Sequence, residues 1–160
     1  MRPIVISLRA DEGGIMRPEY IETTIGKFIL RVKRGLRYSG EHVWVSEENQ
    51  QYCVGLTDYA QRRGGDIIFI EFPSANGLVK AGEPLALYET IKAALEVAAP
   101  FDCEMVDCNR ALEERPELMN EDPYGAGWVV RVKPVDPESV EALLSPERYF
   151  ELMKEEAENA

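Results

Sequence analysis

The sequence predicts a mainly β domain with many antiparallel strands, short connections and helices closing its C-terminal end. Two patterns predict it. Between residues 42 and 108 the apolar residues fall in strand-length runs, separated by turn-forming clusters such as Glu47-Glu48-Asn49-Gln50, Asn76-Gly77 and Lys80-Ala81-Gly82-Glu83-Pro84. Further on, Asp136-Pro137-Glu138 and Ser145-Pro146-Glu147 each set a capping side chain before a proline at a first helical position. A chain of 160 residues is about one domain, and it buries roughly two-thirds of the surface its unfolded form exposes.

Taken in order, residues 3–8 and 27–32 read as strands, separated by Gly13-Gly14 and a polar stretch. Residues 42–46 and 51–56 form a hairpin through the Glu47–Gln50 turn. Residues 57–63 fit a short helix, with Thr57 capping its start and Gly64-Gly65 ending it. Asp66-Ile67-Ile68-Phe69-Ile70-Glu71-Phe72 is a nearly continuous apolar run stopped by Pro73. Residues 110–121 are polar and acidic, a short helix and a loop. Trp128, Val130 and Val132 alternate with Val129, Arg131 and Lys133, as in a half-buried strand. In the C-terminal helices Val140, Leu143 and Leu144 form one apolar stripe, and Tyr149, Leu152 and Met153 a second. The tail over residues 155–160 frays into solvent.

Composition narrows the function. The net charge of −11 argues against nucleic acid, whose phosphates are neutralised by Lys and Arg. The charge is uneven: residues 1–34 carry 7 basic and 4 acidic side chains, whereas the remainder has a net charge of −14. A mildly basic segment on an acidic body is expected to fold back onto it or to contact a partner. The opening apolar run is too short for a signal peptide and no stretch approaches transmembrane length, so an intracellular, cytoplasmic protein without membrane contact is expected. Cys53, Cys103 and Cys108 are an odd number and form no disulfide framework. On one strand the odd spacing of Cys103 and Cys108 points them to opposite faces, and buried free thiols are expected. With His42 the single histidine, neither a zinc site nor a Ser/His/Asp set is expected, and a hydrogen-bonded structural role suits it better. No phosphate-binding or dinucleotide glycine spacing occurs. The chain reads as a carrier or binding protein rather than a catalyst.

The remaining stretch is Leu85-Ala86-Leu87-Tyr88-Glu89-Thr90-Ile91-Lys92-Ala93-Ala94-Leu95-Glu96-Val97, in which one lysine has an acid three residues before it and another four after. No glycine, asparagine or proline marks a turn, so the pattern alone suits a strand or a helix start. As a hairpin with Lys92 and Ala93 central, it sets Glu89 directly opposite Glu96. Like charges so placed are unfavourable, which suggests that a partner reads the tip. An ordinary solvated lysine fits the same spacing.

Five ordered segments carry a family resemblance: His42-Val43-Trp44; Val54-Gly55-Leu56-Thr57-Asp58-Tyr59-Ala60-Gln61; Gly65-Asp66-Ile67-Ile68-Phe69-Ile70-Glu71-Phe72-Pro73; Glu89-Thr90-Ile91-Lys92-Ala93; and Asn120-Glu121-Asp122-Pro123-Tyr124-Gly125-Ala126-Gly127-Trp128. Over about three-quarters of the chain it resembles the H-protein of the glycine cleavage system, a lipoylated carrier. The resemblance implies a flattened antiparallel β-sandwich of the lipoyl-domain type, a barrel-sandwich hybrid, over residues 37–154, preceded by an extension over residues 1–36 that has no counterpart. It also implies that Lys92 receives lipoate in amide linkage from a lipoate ligase or lipoyl transferase, with Glu89 and Glu96 as the acids that the modifying enzyme recognises. The implied partners are glycine decarboxylase, aminomethyltransferase and dihydrolipoyl dehydrogenase, between which the arm carries an aminomethyl group.

The sequence departs from the family at two positions of the surface cleft that shelters the loaded arm. Val43 stands where a glutamate is usual, and Arg63 where some members have histidine. After the lysine hairpin, Asp102-Cys103 replaces a Ser-Gly turn, so glycine's ease at positive φ is lost. Two other functions fit the same fold. One is an H-like carrier of sulfur intermediates for a heterodisulfide-reductase-like complex, near whose arm Cys103 and Cys108 would be at home. The other is an unmodified H-like scaffold.

Overall fold

The computed structural model describes residues 8–10, 16–73 and 77–160. Of the strand expected over residues 3–8 only Leu8 falls within them, and Gly13-Gly14 and Asn76 lie outside.

Elements follow closely on one another, as short apolar runs divided by turn residues require. Two antiparallel ribbons come first: β1 (Leu8–Ala10) with β2 (Met16–Pro18), and β3 (Tyr20–Ile25) with β4 (Phe28–Lys33). Then come β5 (Arg37–Tyr38), β6 (Val43–Glu48), β7 (Gln51–Leu56), α1 (Asp58–Gly64), β8 (Ile67–Glu71), β9 (Gly77–Val79), β10 (Pro84–Thr90), β11 (Ala94–Ala98) and β12 (Cys103–Cys108). The chain ends with α2 (Ala111–Glu114), α3 (Leu118–Glu121), β13 (Val130–Pro134), α4 (Glu138–Glu141) and α5 (Pro146–Glu158). A six-stranded sheet in the order β5-β6-β7-β13-β12-β9 and a three-stranded sheet in the order β11-β10-β8 make the predicted mainly β, antiparallel, sandwich-like fold.

The run His42-Val43-Trp44-Val45 shows how the layers arise. Alternate side chains of a strand point to opposite faces. Val43 and Val45 join Val54, Leu56, Leu85, Val97 and Phe101 in the main core. Trp44 points the other way, into a second core with Leu30, Val32, Tyr38, Tyr59, Tyr149 and Met153. That second core is roofed by β4 and α5, so both faces of β6 are buried and the strand carries no polar residue until Ser46. The β3–β4 ribbon and Arg34 after it thus fold back onto the body. Arg34 pairs with Glu147 of α5 at 2.8 Å, the Arg31 N–H donates to Asp58, and the Tyr124 hydroxyl donates to the Arg31 carbonyl.

Several expectations are corrected. The tail does not fray from Glu155: α5 runs to Glu158, because Glu156 pairs with His42 at 2.6 Å and with Arg63 at 3.2 Å. Leu144 lies beyond α4 and pairs with Tyr38 as an isolated bridge, so the stripe with Val140 is not helical throughout. Cys103 and Cys108 are both buried in the main core rather than on opposite faces. A bulge between Met105 and Asp107 shifts the register by one residue and restores them to one side. Five residues of strand hold them about 16 Å apart, far beyond bridging distance. No glycine is needed at Asp102-Cys103 either: neither residue has positive φ, and the Asp102 carboxylate accepts from the Ala81 N–H instead.

Candidate functional site

Lys92 sits on the β10–β11 hairpin, and the register differs from the expected one. Glu89 pairs with Ala94, Tyr88 with Leu95 and Leu87 with Glu96, so Ile91 and Lys92 form the two-residue tip. Glu89 and Glu96 are diagonal neighbours on one face, a separation that eases their repulsion. Two-residue hairpin tips usually demand positive φ, yet neither tip residue has it. Thr90 substitutes for the missing turn residue. Its buried hydroxyl oxygen accepts from the Lys92 N–H at 3.1 Å and the Ala93 N–H at 3.2 Å, while its own N–H donates to the Ala93 carbonyl at 2.9 Å. Threonine hydroxyls make such local turns at modest energy. A turn built this way is one that a search for Gly, Asn or Pro misses.

The tip is exposed, and the lysine side chain lies over the end of α1. A β-carbon added at Gly65 would stand 3.7 Å from Lys92 Cε and 3.9 Å from Nζ. Gly65 caps α1 at φ 86°, a left-handed conformation that glycine adopts without strain, and its N–H donates to the Gln61 carbonyl. Beneath it, Asn120 satisfies three groups at once. Its Oδ1 accepts from the Ile67 N–H at 2.9 Å, and its Nδ2 donates to the Gly65 carbonyl at 3.0 Å and to Gln61 Oε1 at 3.1 Å. Asn120 therefore fixes the α1 terminus against β8, on which the lysine hairpin rests. The rest of that loop is bound as firmly: Trp44 Nε1–H donates to the Pro123 carbonyl at 2.9 Å, and the Asp122 carboxylate accepts from the Ala126 N–H.

Of the two expected cleft residues, only one reaches a surface. Val43 is fully enclosed in the main core, paired with Leu56, so it lines no cleft; strand alternation sends Trp44 to the opposite face, where the second core encloses it in turn. Arg63 is exposed in the last turn of α1, over the Tyr59 ring at 5.1 Å and paired with Glu156. Behind it lies a buried polar chain. His42, at φ 66°, donates from Nε2 to Glu156; Nδ1 is then the acceptor for the Tyr149 hydroxyl at 2.8 Å, and Thr57 donates to the Tyr149 oxygen at 2.7 Å. Burial holds His42 below its ordinary imidazole value, against the opposing pull of the Glu156 carboxylate.

The thiols are enclosed. Burial pushes Cys53 up to about 12 and Cys103 up to about 11, and raises Cys108 as well. Among the described residues no group of three or more His, Cys, Asp or Glu side chains could hold a metal ion. No helix among them is long and apolar enough to cross a membrane.

The residues at the tip fit a group carried in amide linkage. A primary amine stands exposed, and the bonds that form the turn use backbone N–H groups and a threonine hydroxyl, none of which depends on the lysine charge.

Comparison with known proteins identifies the family. The family model for the glycine cleavage H-protein matches residues 36–156. The glycine cleavage system H protein of Carboxydothermus hydrogenoformans is 40% identical over 127 residues, covering 79% of this chain and 98% of that protein. The probable glycine cleavage system H protein of Aeropyrum pernix is 38% identical over 143 residues, covering 89% of this chain and all of its own length. An alignment that long within 160 residues begins at about residue 18 or earlier, so it takes in the β3–β4 ribbon. The crystal structure of a glycine cleavage system H protein from Mycobacterium marinum superposes with a TM-score of 0.65 at 30% identity, covering 72% of this chain and 93% of that one. The chain belongs to the glycine cleavage H-protein family and is a carrier rather than a catalyst.

Proposed function

We propose that this protein carries lipoate in amide linkage on Lys92 and serves glycine cleavage, moving an aminomethyl group between glycine decarboxylase, aminomethyltransferase and dihydrolipoyl dehydrogenase. The observation that carries the reading is the lysine itself, exposed on a rigid two-residue tip whose shape does not depend on its charge. When bound, the dithiolane supplies a redox-active disulfide on a long tether.

The chain's own part is to present and to orient. Lipoate would be attached by a lipoate ligase or lipoyl transferase; with a ligase, deprotonated Lys92 Nζ would attack the carbonyl of an acyl adenylate. The C–N bond forms, the C–O bond to phosphate breaks, AMP leaves with the electron pair, and the nitrogen gives up one proton to solvent. The ammonium charge is lost, and the backbone bonds of the tip stay in place. Glu89 and Glu96, both exposed beside the tip, supply the acidic recognition of the attaching enzyme. Arg63 offers an exposed guanidinium near the start of the arm, whereas Val43 is too deep to take part. The acidic body favours encounter with basic partner surfaces. The enclosed positions of Cys103 and Cys108 give a sulfur-carrying pathway no support from those residues.

Intact mass after co-expression with a lipoate ligase and lipoate tests the attachment on wild type and Lys92→Arg. A gain of one lipoyl group by the wild type alone is expected, followed by loading of that arm by glycine decarboxylase with glycine. No gain, with the ligase active on a control carrier, overturns the carrier reading and leaves an unmodified scaffold.

A further inference from the structure

We infer that the outer face of the β11-β10-β8 sheet is the surface on which the enzyme that acylates Lys92 docks, presenting basic side chains around an apolar contact. The inference rests on Lys92 being the attachment site.

The face is a checkerboard set by strand register. Glu96, Leu87 and Glu71 make one cross-strand row, and Ala94, Glu89 and Phe69 make the next, nearer the tip. All six side chains are exposed, and they line a shallow cavity of about 480 Å³ with no basic residue in its lining. The first row lies about 10 Å below Thr90, three residues along the strand. Phe69 is 48% and Leu87 37% exposed, an apolar floor inside a frame of three carboxylates. A bulge adds to it: the β8 register shifts between Glu89 and Thr90, which leaves Ile68 outward as well, at 57% exposure. Ile91 on the tip is 79% exposed. Apolar side chains grouped on one small sheet, beside a modified residue and rimmed by charge, mark an interaction surface rather than scattered surface hydrophobes.

Reach selects the attaching enzyme among the partners. It forms a bond at Nζ, so its catalytic surface must approach within one lysine side chain of the tip and must cover the flanking sheet. Enzymes that act on the far end of the carried group stand off by the length of that group. Charge selects the chemistry of its surface: carboxylates with no cation among them call for Arg or Lys opposite, and Phe69 and Leu87 for an apolar side chain between those cations.

The test compares rates of mass gain by the purified unmodified protein with a lipoate–protein ligase, lipoate and ATP. Glu71→Lys and Phe69→Ser probe the face away from Lys92, and Glu104→Lys makes the same charge change on the exposed side of β12 in the other sheet. Glu71→Lys and Phe69→Ser are expected to lower kcat/KM by about tenfold or more, through KM, while Glu104→Lys stays within about twofold of wild type. Thermal melts matched to wild type confirm that the folds are intact. Wild-type efficiency in both face variants overturns the docking surface, and so does an equal loss in Glu104→Lys. A wild type that gains no mass, with the ligase active on a control carrier, overturns the Lys92 reading instead.

Discussion

Replacing Asn120 with alanine removes a side chain that ties β8 and the end of α1 to α3. Three hydrogen bonds go with it, at 2.9, 3.0 and 3.1 Å. Their costs are unequal. Ile67 is buried, so its N–H loses its partner without access to water, at about 1–3 kcal/mol. Gly65 is half-buried, and water can reach its carbonyl. Gln61 is buried but keeps its bond from Nε2 to Asp58. Together these give a loss of about 3 kcal/mol. For a chain of this size that corresponds to a fall in Tm of roughly 6–12 °C. Urea unfolding followed by Trp fluorescence measures the loss directly, and an unchanged slope shows that the denatured state is the same. Because the Lys92 side chain rests over Gly65, a lower rate of lysine acylation by the ligase should accompany the loss. A loss below about 1 kcal/mol would refute the reasoning, since it would mean that water or a neighbour replaces Asn120 without cost.

Three other substitutions probe the remaining parts of the scaffold. In Gly55→Ala the new β-carbon would stand 2.6 Å from the Trp44 ring, which is buried and held by its bond to Pro123, so a loss of about 3 kcal/mol and a shifted Trp emission are expected. Thr90→Val keeps the shape but removes the acceptor for two N–H groups of the tip; it should cost about 1–2 kcal/mol and slow lysine acylation, read by unfolding and by mass. His42 is held below its ordinary value of 6.5, mainly by burial, so below that pH the unfolded chain binds more protons than the native one. Stability contributed by neutral His42 is complete above 6.5 and is lost as pH falls towards its lowered native value. His42→Asn, which tolerates the positive φ, should flatten the fall in Tm as pH drops below 6.5, with Glu156, Arg63, Tyr149 and Tyr59 left in place.

How much of this was legible in the sequence depends on how local each cause is. The β6–β7 hairpin was readable because its turn is local: Asn49 and Gln50 both take positive φ, as a tight primed turn requires. Two of the three caps were readable for the same reason, with Thr57 accepting from Ala60 and Ser145 from Arg148 as placed; at α4 the N-cap position falls on Pro137 instead of Asp136, whose carboxylate accepts from the Glu138 N–H. Lys92 was singled out as a candidate through the resemblance and not through its spacing, and the register of its hairpin came out wrong because a side chain rather than a backbone preference shapes the turn. The two cysteines were misplaced by a bulge, whose extra residue leaves no mark in a pattern of alternate residues. Val43 and the tail failed for a longer-range reason. Whether a strand residue faces core or cleft depends on what covers each side of its sheet: on β6 the second sheet packs against the side of Val43, and a ribbon and a helix from distant parts of the chain cover the side of Trp44. Likewise, nothing within residues 155–160 requires a helix. The order comes from Glu156 meeting His42 and Arg63 across about a hundred residues of sequence, contacts that exist only once the sheets have formed. The candidate site shares that character. Its lysine is one residue, but the platform under it needs Gly65, Asn120 and Ile67 brought together by α1, α3 and β8. A motif such as Asn120-Glu121-Asp122-Pro123 is thus best understood as the fixing of one loop beneath the Lys92 side chain, a role with a measurable energy, and not as a signature in its own right.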